Sequence, residues 1–364
     1  MQTRLSTSEL PANPASKPAA NERWEAYLAA NPRGQFQQSW RWAEVKAAEG
    51  WQGALETWPA GAEDLAGGFL MLVKPTRLGR VGFVNKGPVL REETGTEVAQ
   101  ALTAIQRVAR EHHLRAVVLQ LPDGSQVAPE LLWRQGVGKS PVPGILDATL
   151  VADVTGGPAA IEARMSRKAR QQSRQAGKAG VKVVECGREA LPIFFELMLG
   201  SCRRQGAPPN PGRLELFERL WDVWFPEVRL VLASYQSQWV AGLLLLRFNR
   251  RCTFWKKGWN EACPELHANA FLNHRAMLLA AEWQCDEVDF VGMDRSLALR
   301  WRENEPMEEA LAKSRYAFNL RLGARPRIVP PAQLYLPGRA WRWVADRLLG
   351  CPKLGHWLMR RMGG

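Results

Sequence analysis

Strand-like runs in this chain occur both side by side and separated by helical segments, and that combination restricts the fold to mixed α/β sheets. In the first half, Leu65–Val73 (ended by Pro75) and Val81–Leu90 are neighbours. The spacing of Val98, Leu102, Ile105, Val108 and Ala109 then predicts a helix over Thr96–His113, before a buried strand at Ala116–Leu121. In the second half, strands at Thr149–Val154 and Val181–Val184 flank a helix over Ala159–Ala179. Amphipathic helices at Leu191–Gln205 and Leu214–Trp224 precede a hairpin of Val228–Ser234 and Val240–Phe248, with Cys252–Trp255 as its third strand. A helix over Ala268–Trp283 leads to a strand at Val288–Phe290, and Tyr316–Leu322 is read as a last strand. Helices at Trp24–Leu28 and after the N-cap Ser39 open the chain. Each half reads helix, adjacent strands, helix, strand.

At 364 residues the chain has room for two domains. The expected division is a disordered Pro/Ala/Ser/Asn-rich leader over 1–22, domains over 23–150 and 151–330, and a basic helical tail over 331–364.

The formal charge is +13, and two short segments hold most of it. Glu162–Lys182 carries seven basic residues against one acidic, and Leu334–Gly364 six against one. Anionic partners are therefore expected at local sites. Arg167, Arg170, Arg174 and Lys178 form one stripe on the basic helix, with Lys168 beside it. The stripe is either a solvated face or a seat for a polyanion such as tRNA or a diphosphate. In the tail, Trp341, Val344, Leu348, Leu354, Trp357 and Leu358 oppose arginines, a pattern that suits either an anionic membrane surface or docking on the protein. No apolar run approaches the roughly 20 residues of a membrane span, and the first residues lack an apolar signal core. A cytoplasmic protein, peripheral on the inner membrane face at most, is expected.

The six cysteines and five histidines show no metal-ligand spacing, so reduced thiols and no metal are expected. There is no GxxxxGK[ST], no GxGxxG after a strand, no GxSxG and no [RQ]xxGx[GA] pyrophosphate loop of CoA-dependent acetyltransferases. No bound cofactor is implied, nor any Ser/His/Asp or Cys/His constellation.

Five less common motifs remain. They are GQFQQSWRWAEVKAAEGW (34–51), VGFVNKGPVL (81–90), MSRKARQQSRQAGKAGVKV (165–183), HANAFLNHRAMLLAAEW (267–283) and VDFVG (288–292). In this order the chain resembles the FemABX family, aminoacyl-tRNA-dependent transferases that extend peptidoglycan precursor peptides. The resemblance covers residues 35 to 301. It implies an α/β fold of two GNAT-like domains (the acyl-CoA N-acyltransferase type) side by side. It implies aminolysis of the aminoacyl-tRNA ester by an amine of the precursor, in a monomer. The chain departs from the family at Val291, which replaces a glycine, at Arg295–Ser314, and at Lys256-Lys257-Gly258-Trp259, which replaces a small turn.

The resemblance makes Lys46, a turn after Trp42, the contact to the precursor's diphosphate, and it implies that a lysine of the second domain, Lys256 or Lys257, assists the tRNA end. The residues themselves suggest more candidates. Lys86 precedes Gly87-Pro88, where backbone can approach a ligand closely. Arg213 opens a helix and can clamp a phosphate. Asp289 at a strand end can orient a group or accept a proton. Each also has a plainer reading, as a solvated or structural side chain. Two alternatives accompany the transferase reading: an acyltransferase using acyl-CoA or another acyl donor in cell-envelope or exopolysaccharide modification, and a non-catalytic binder of RNA or membrane.

Overall fold

The computed structural model describes residues 18–59, 64–77, 79–140, 145–261, 263–302, 314 and 316–338. Within them the chain forms two seven-stranded mixed sheets, each with helices on its faces.

Helix α1 (Pro18–Ala30) begins inside the stretch read as leader. Proline is tolerated in a first helical turn, and Trp24 and Leu28, one turn apart, are fully buried against Leu65 and Val89. Helix α2 (Trp40–Ala47) starts at the expected N-cap, with Ser39 Oγ accepting from Arg41 N–H. The first sheet then forms from β1 (Gln52–Pro59), β2 (Leu65–Thr76), β3 (Gly79–Asn85), β4 (Val89–Leu90) and, after α3 (Gly95–Glu111), β5 (Leu114–Gln120). The run read as one strand over 81–90 is thus divided at Lys86–Pro88. Pairing is antiparallel from β1 to β2 and β2 to β3, and parallel from β3 to β5. The nearly unbroken apolar run of β2 follows from burial on both faces. Phe69, Met71 and Val73 pack under α3, while Leu70 and Leu72 face the α2 side.

Helix α4 (Pro129–Arg134) and β6 (Val137–Lys139) end this half. The second sheet holds β7 (Ala148–Asp153), β8 (Lys182–Cys186), β9 (Val228–Tyr235), β10 (Gln238–Phe248), β11 (Arg251–Trp259), β12 (Glu287–Asp289) and β13 (Arg325–Ile328). Its order is β13-β7-β12-β11-β10-β9-β8. Helices α5 (Gly157–Arg164), α6 (Arg167–Lys178) and α9 (Ala268–Glu282) cover one face; α7 (Leu191–Gln205) and α8 (Leu214–Trp224) cover the other. The single helix expected over 159–179 is two, because Met165 is extended and Ser166 caps a new start by accepting from Ala169 N–H. Strands β11 and β12 pair in parallel only over Arg251–Thr253, after which β11 leaves β12 and continues along β10 to Trp259.

One finding corrects the C-terminal reading, and the return of a C-terminal strand to the first domain agrees with what the family resemblance implies. After α10 (Arg295–Arg302), the segment taken for a last strand is a short helix, α11 (Ala317–Arg321). The chain then gives β13 to the second sheet and β14 (Gln333–Tyr335) to the first, where β14 lies between β5 and β6. Residues 333–335 therefore complete the first domain's sheet. The expected tail helix falls at 339–364, outside the described residues.

Candidate functional site

A cavity of about 830 Å³ lies between the two sheets, walled by both domains. Its first-domain wall is set by one glutamine. Gln38 is fully buried; its amide nitrogen donates to Asn85 O and Leu70 O, and its amide oxygen accepts from Leu70 N–H. A Cβ on Gly87 would stand 2.6 Å from that amide, so the glycine of one motif is required by the glutamine of another. Glu25 reinforces the start of α2, accepting from Ser39 Oγ at 2.9 Å and Trp40 N–H at 2.6 Å.

Helix α2 also grips the second domain. The Arg41 guanidinium donates to Val223 O and Glu227, and lies 4.3 Å from the Trp224 ring. Trp42 meets Trp255 of β11 edge to face, centroids 6.1 Å apart. Lys46 therefore reaches the cavity at the domain junction, its ammonium 5.9 Å from both the Trp42 and Trp51 rings and paired with Glu49.

Lys86 is also on the wall, within a chain of charges that the sequence did not reveal. Its ammonium donates to Asp123 at 2.7 Å, and Arg251 donates to the other Asp123 oxygen at 2.8 Å. Arg251 donates in turn to Glu287, which also accepts two bonds from Arg327. Lys86 and Asp123 belong to the first domain and the rest to the second, so the chain crosses the junction. Burial alone would raise the Asp123 carboxyl; the neighbouring charges of Lys86 and Arg251 override it and hold the group below its usual range.

Asp289 lines the cavity at the end of β12. Thr149 Oγ1–H donates to it at 2.5 Å, and Val291 N–H at 2.8 Å. Burial nevertheless pushes its pKa up. Val291 has φ +59°, a conformation suited to glycine, and its backbone holds the acid from there.

The two candidate lysines of β11 part company. Leu244 pairs with Lys256 and Leu245 with Phe254, leaving Trp255 as a bulge. Trp255 and Lys256 both line the cavity, while Lys257 turns to the opposite face of the sheet, 5.0 Å from the Phe290 ring centre. Loss of solvation pushes the Lys257 pKa down to about 8, against the attraction of Asp289.

The remaining candidates are not among the wall residues. Arg213 is exposed and pairs with Glu215, although its neighbours Asn210, Pro211 and Leu216 line the cavity. On α6, Arg170 donates to Glu162 O and Met165 O and closes the end of α5. Arg167, Lys168, Arg174 and Lys178 are exposed, with no carboxylate within ion-pair distance among the described residues. The sequence reading missed Asp123, Arg251, Gln35, Gln37 and Asn85. The last three line the cavity, each with a buried amide oxygen lacking a partner among the described residues, ready to accept from N–H or O–H groups.

Comparison with known proteins agrees with the two-domain fold. Residues 20–126 match the FemAB family model, and residues 163–301 match a GNAT acetyltransferase domain. No curated protein matches the sequence significantly. Among solved structures, FemX superimposes with a TM-score of 0.75 at 16% identity, covering 90% of this chain and 98% of its own. A conserved protein of unknown function from Bacteroides thetaiotaomicron gives 0.55 at 10% identity, covering 87% and 96%. A tandem GNAT protein from the clavulanic acid biosynthesis pathway gives 0.50 at 14%, covering 89% and 96%. The motif order and the FemAB match over residues 20–126 make the first domain similar to the FemAB family, and the chain shares the double-domain fold of FemX.

Proposed function

We propose that the protein transfers an aminoacyl group from aminoacyl-tRNA to an amine of a peptidoglycan precursor peptide. The observation that carries this reading is the separation of two polar sites. The junction cavity, with Lys46 and Lys256 on its walls and Asp289 at its edge, suits a phosphorylated acceptor rich in N–H and O–H groups. The exposed cations of α6 lie on the other face of the second sheet and suit a polyanion.

In the reaction the acceptor nitrogen attacks the ester carbonyl, a C–N bond forms, and the C–O bond to the ribose breaks. The attacking amine gives up one proton, directly or through Asp289 or solvent, the ribose oxygen leaves with one, and the amine's other N–H stays in the new amide. The raised pKa of Asp289 makes its carboxylate a better proton acceptor than an exposed aspartate. The ester is already activated, so positioning supplies most of the rate. Location at the inner face of the membrane, through the basic tail, belongs to the same proposal.

The GNAT match over residues 163–301 favours one other reading, an acyl-CoA donor. The discriminating experiment offers labelled charged tRNAs and labelled acetyl-CoA in parallel to a cell-envelope precursor fraction, with and without RNase. RNase-sensitive transfer supports the tRNA donor. Transfer from acetyl-CoA alone overturns it.

A further inference from the structure

Five cysteines lie among the described residues, all as free thiols, and two of them meet. Cys252 stands on β11, in register with Val288 of β12. Cys285 stands just before β12, where its N–H donates to Ala280 O at 3.0 Å and closes the end of α9. Both side chains belong to the core beneath α9, and the Cys252 thiol hydrogen-bonds to Cys285. Cys186, Cys202 and Cys263 are each more exposed than either.

The pair also has an approach. A second cavity, of about 650 Å³, lies between the turn at residues 155–158 and the last turn of α9. Cys285 lines it at 4% exposure, while Cys252 is wholly buried behind. Arg250 stands on the same wall, paired with Asp286, and Arg247 donates to Trp283 O at 3.1 Å, two residues before Cys285. The hydrogen bond from Cys252 holds the Cys285 thiol below its ordinary range against burial and the charge of Asp286, and the charges of Arg247 and Arg250 assist. The same contact, together with burial, pushes the Cys252 thiol up. A cysteine that serves only as a small core hydrophobe needs neither an opening nor a cation beside it. An ionisable thiol facing a cavity, backed by a second thiol that stays protonated, is the arrangement of a nucleophile and its resolving partner.

We infer that Cys285 and Cys252 form a peroxide-sensitive dithiol site, in which Cys285 is the sulfur oxidised first and Cys252 the sulfur that resolves it. The co-substrate is hydrogen peroxide or another small hydroperoxide. The Cys285 thiolate attacks the terminal peroxide oxygen. An S–O bond forms, the O–O bond breaks, and the departing oxygen takes up a proton and leaves as water or an alcohol. The Cys252 sulfur then attacks the sulfenic sulfur. The S–S bond forms, the S–O bond breaks, and hydroxide leaves with the Cys252 proton as water. The two sulfurs together give up the two electrons that reduce the peroxide, and a cellular thiol reverses the change by exchange. The cross-link ties β11 to the entry of β12, beside the register that joins Arg251 to Glu287 and Thr253 to Asp289. The site is independent of the acyl donor and acceptor proposed above.

The test treats the full, reduced chain with hydrogen peroxide, alkylates the remaining thiols and locates every oxidised cysteine by peptide mass spectrometry. Wild type should gain one disulfide, between Cys252 and Cys285, and lose it again with dithiothreitol. Cys186, Cys202 and Cys263 should react about tenfold more slowly or less, as thiols without a resolving partner or a lowered pKa do. Cys252→Ala should stop at a sulfenic acid on Cys285, trapped by dimedone, and Cys285→Ala should leave Cys252 unoxidised. Cys263→Ala should behave as wild type. The mapping of wild type needs no variant, so a variant that fails to fold leaves the answer intact. Oxidation confined to the more exposed cysteines, a sulfenic acid that persists on Cys285 in wild type, a disulfide from either residue to any other cysteine, or no oxidation of Cys285 would each overturn the assignment.

Discussion

Replacing Asp123 by asparagine should loosen the two domains from each other. The carboxylate accepts from Lys86 at 2.7 Å and from Arg251 at 2.8 Å, and its side chain is 8% exposed. Each charge-assisted bond contributes about 1.5–3 kcal/mol, and removing one member of a buried ion pair costs about 3–5 kcal/mol. Two features moderate the loss. Arg251 keeps Glu287, and the asparagine oxygen can still accept one bond. A destabilisation of about 3 kcal/mol follows, measured by urea unfolding at neutral pH. The pH dependence supplies an internal control. The folded pKa of Asp123 lies below its unfolded value, so its contribution is present above that unfolded value, about 3.9, and is lost as pH falls through the folded one. The gap between wild type and Asp123→Asn should therefore close on acidification below about pH 4. A gap at neutral pH below about 0.5 kcal/mol, the range of an ordinary surface change, would refute the reasoning. So would a gap that stays constant into acid.

The other expectations are smaller in scope. Val291→Gly should stabilise the protein by about 1 kcal/mol in thermal unfolding, because the left-handed conformation costs a residue with a Cβ about 1–2 kcal/mol and this side chain is more than a third exposed. Arg170→Ala should cost about 1 kcal/mol by freeing the last carbonyls of α5, with tRNA affinity unchanged in filter binding. The double change Arg174→Ala, Lys178→Ala should leave stability unchanged, and should lower the salt dependence of tRNA binding by about 1.5 in logarithmic slope, from two lost phosphate contacts.

Much of the scaffold was legible because local chemistry agrees with it. Ser39 caps where a serine before an apolar period should, and the doubly apolar runs of β2 and β10 are buried on both faces. Ser166 is a cap of the same kind, yet the continuous basic pattern hid the break before it. Tyr316–Leu322 has the aromatic and branched content of a strand but forms one helical turn, since chain geometry rather than propensity decides so short an element. The site was legible in part. Lys46, Lys86, Trp42 and Asp289 do line the cavity. Asp123 and Arg251, 128 residues apart in sequence, meet only through the packing of two domains, and no spacing rule could reveal them. The β11 bulge, which puts both Trp255 and Lys256 on the cavity side, leaves no local mark either.

The central claim is a division of labour: the acceptor in the junction cavity and the tRNA on α6. Steady-state transfer by Lys46→Ala and by the Arg174→Ala, Lys178→Ala pair tests it most directly, with KM measured separately for each substrate. The account predicts that Lys46→Ala raises KM for the precursor about tenfold or more with KM for tRNA unchanged, and that the α6 pair does the reverse. Equal effects of both variants on both substrates, or a crossed pattern, would contradict it.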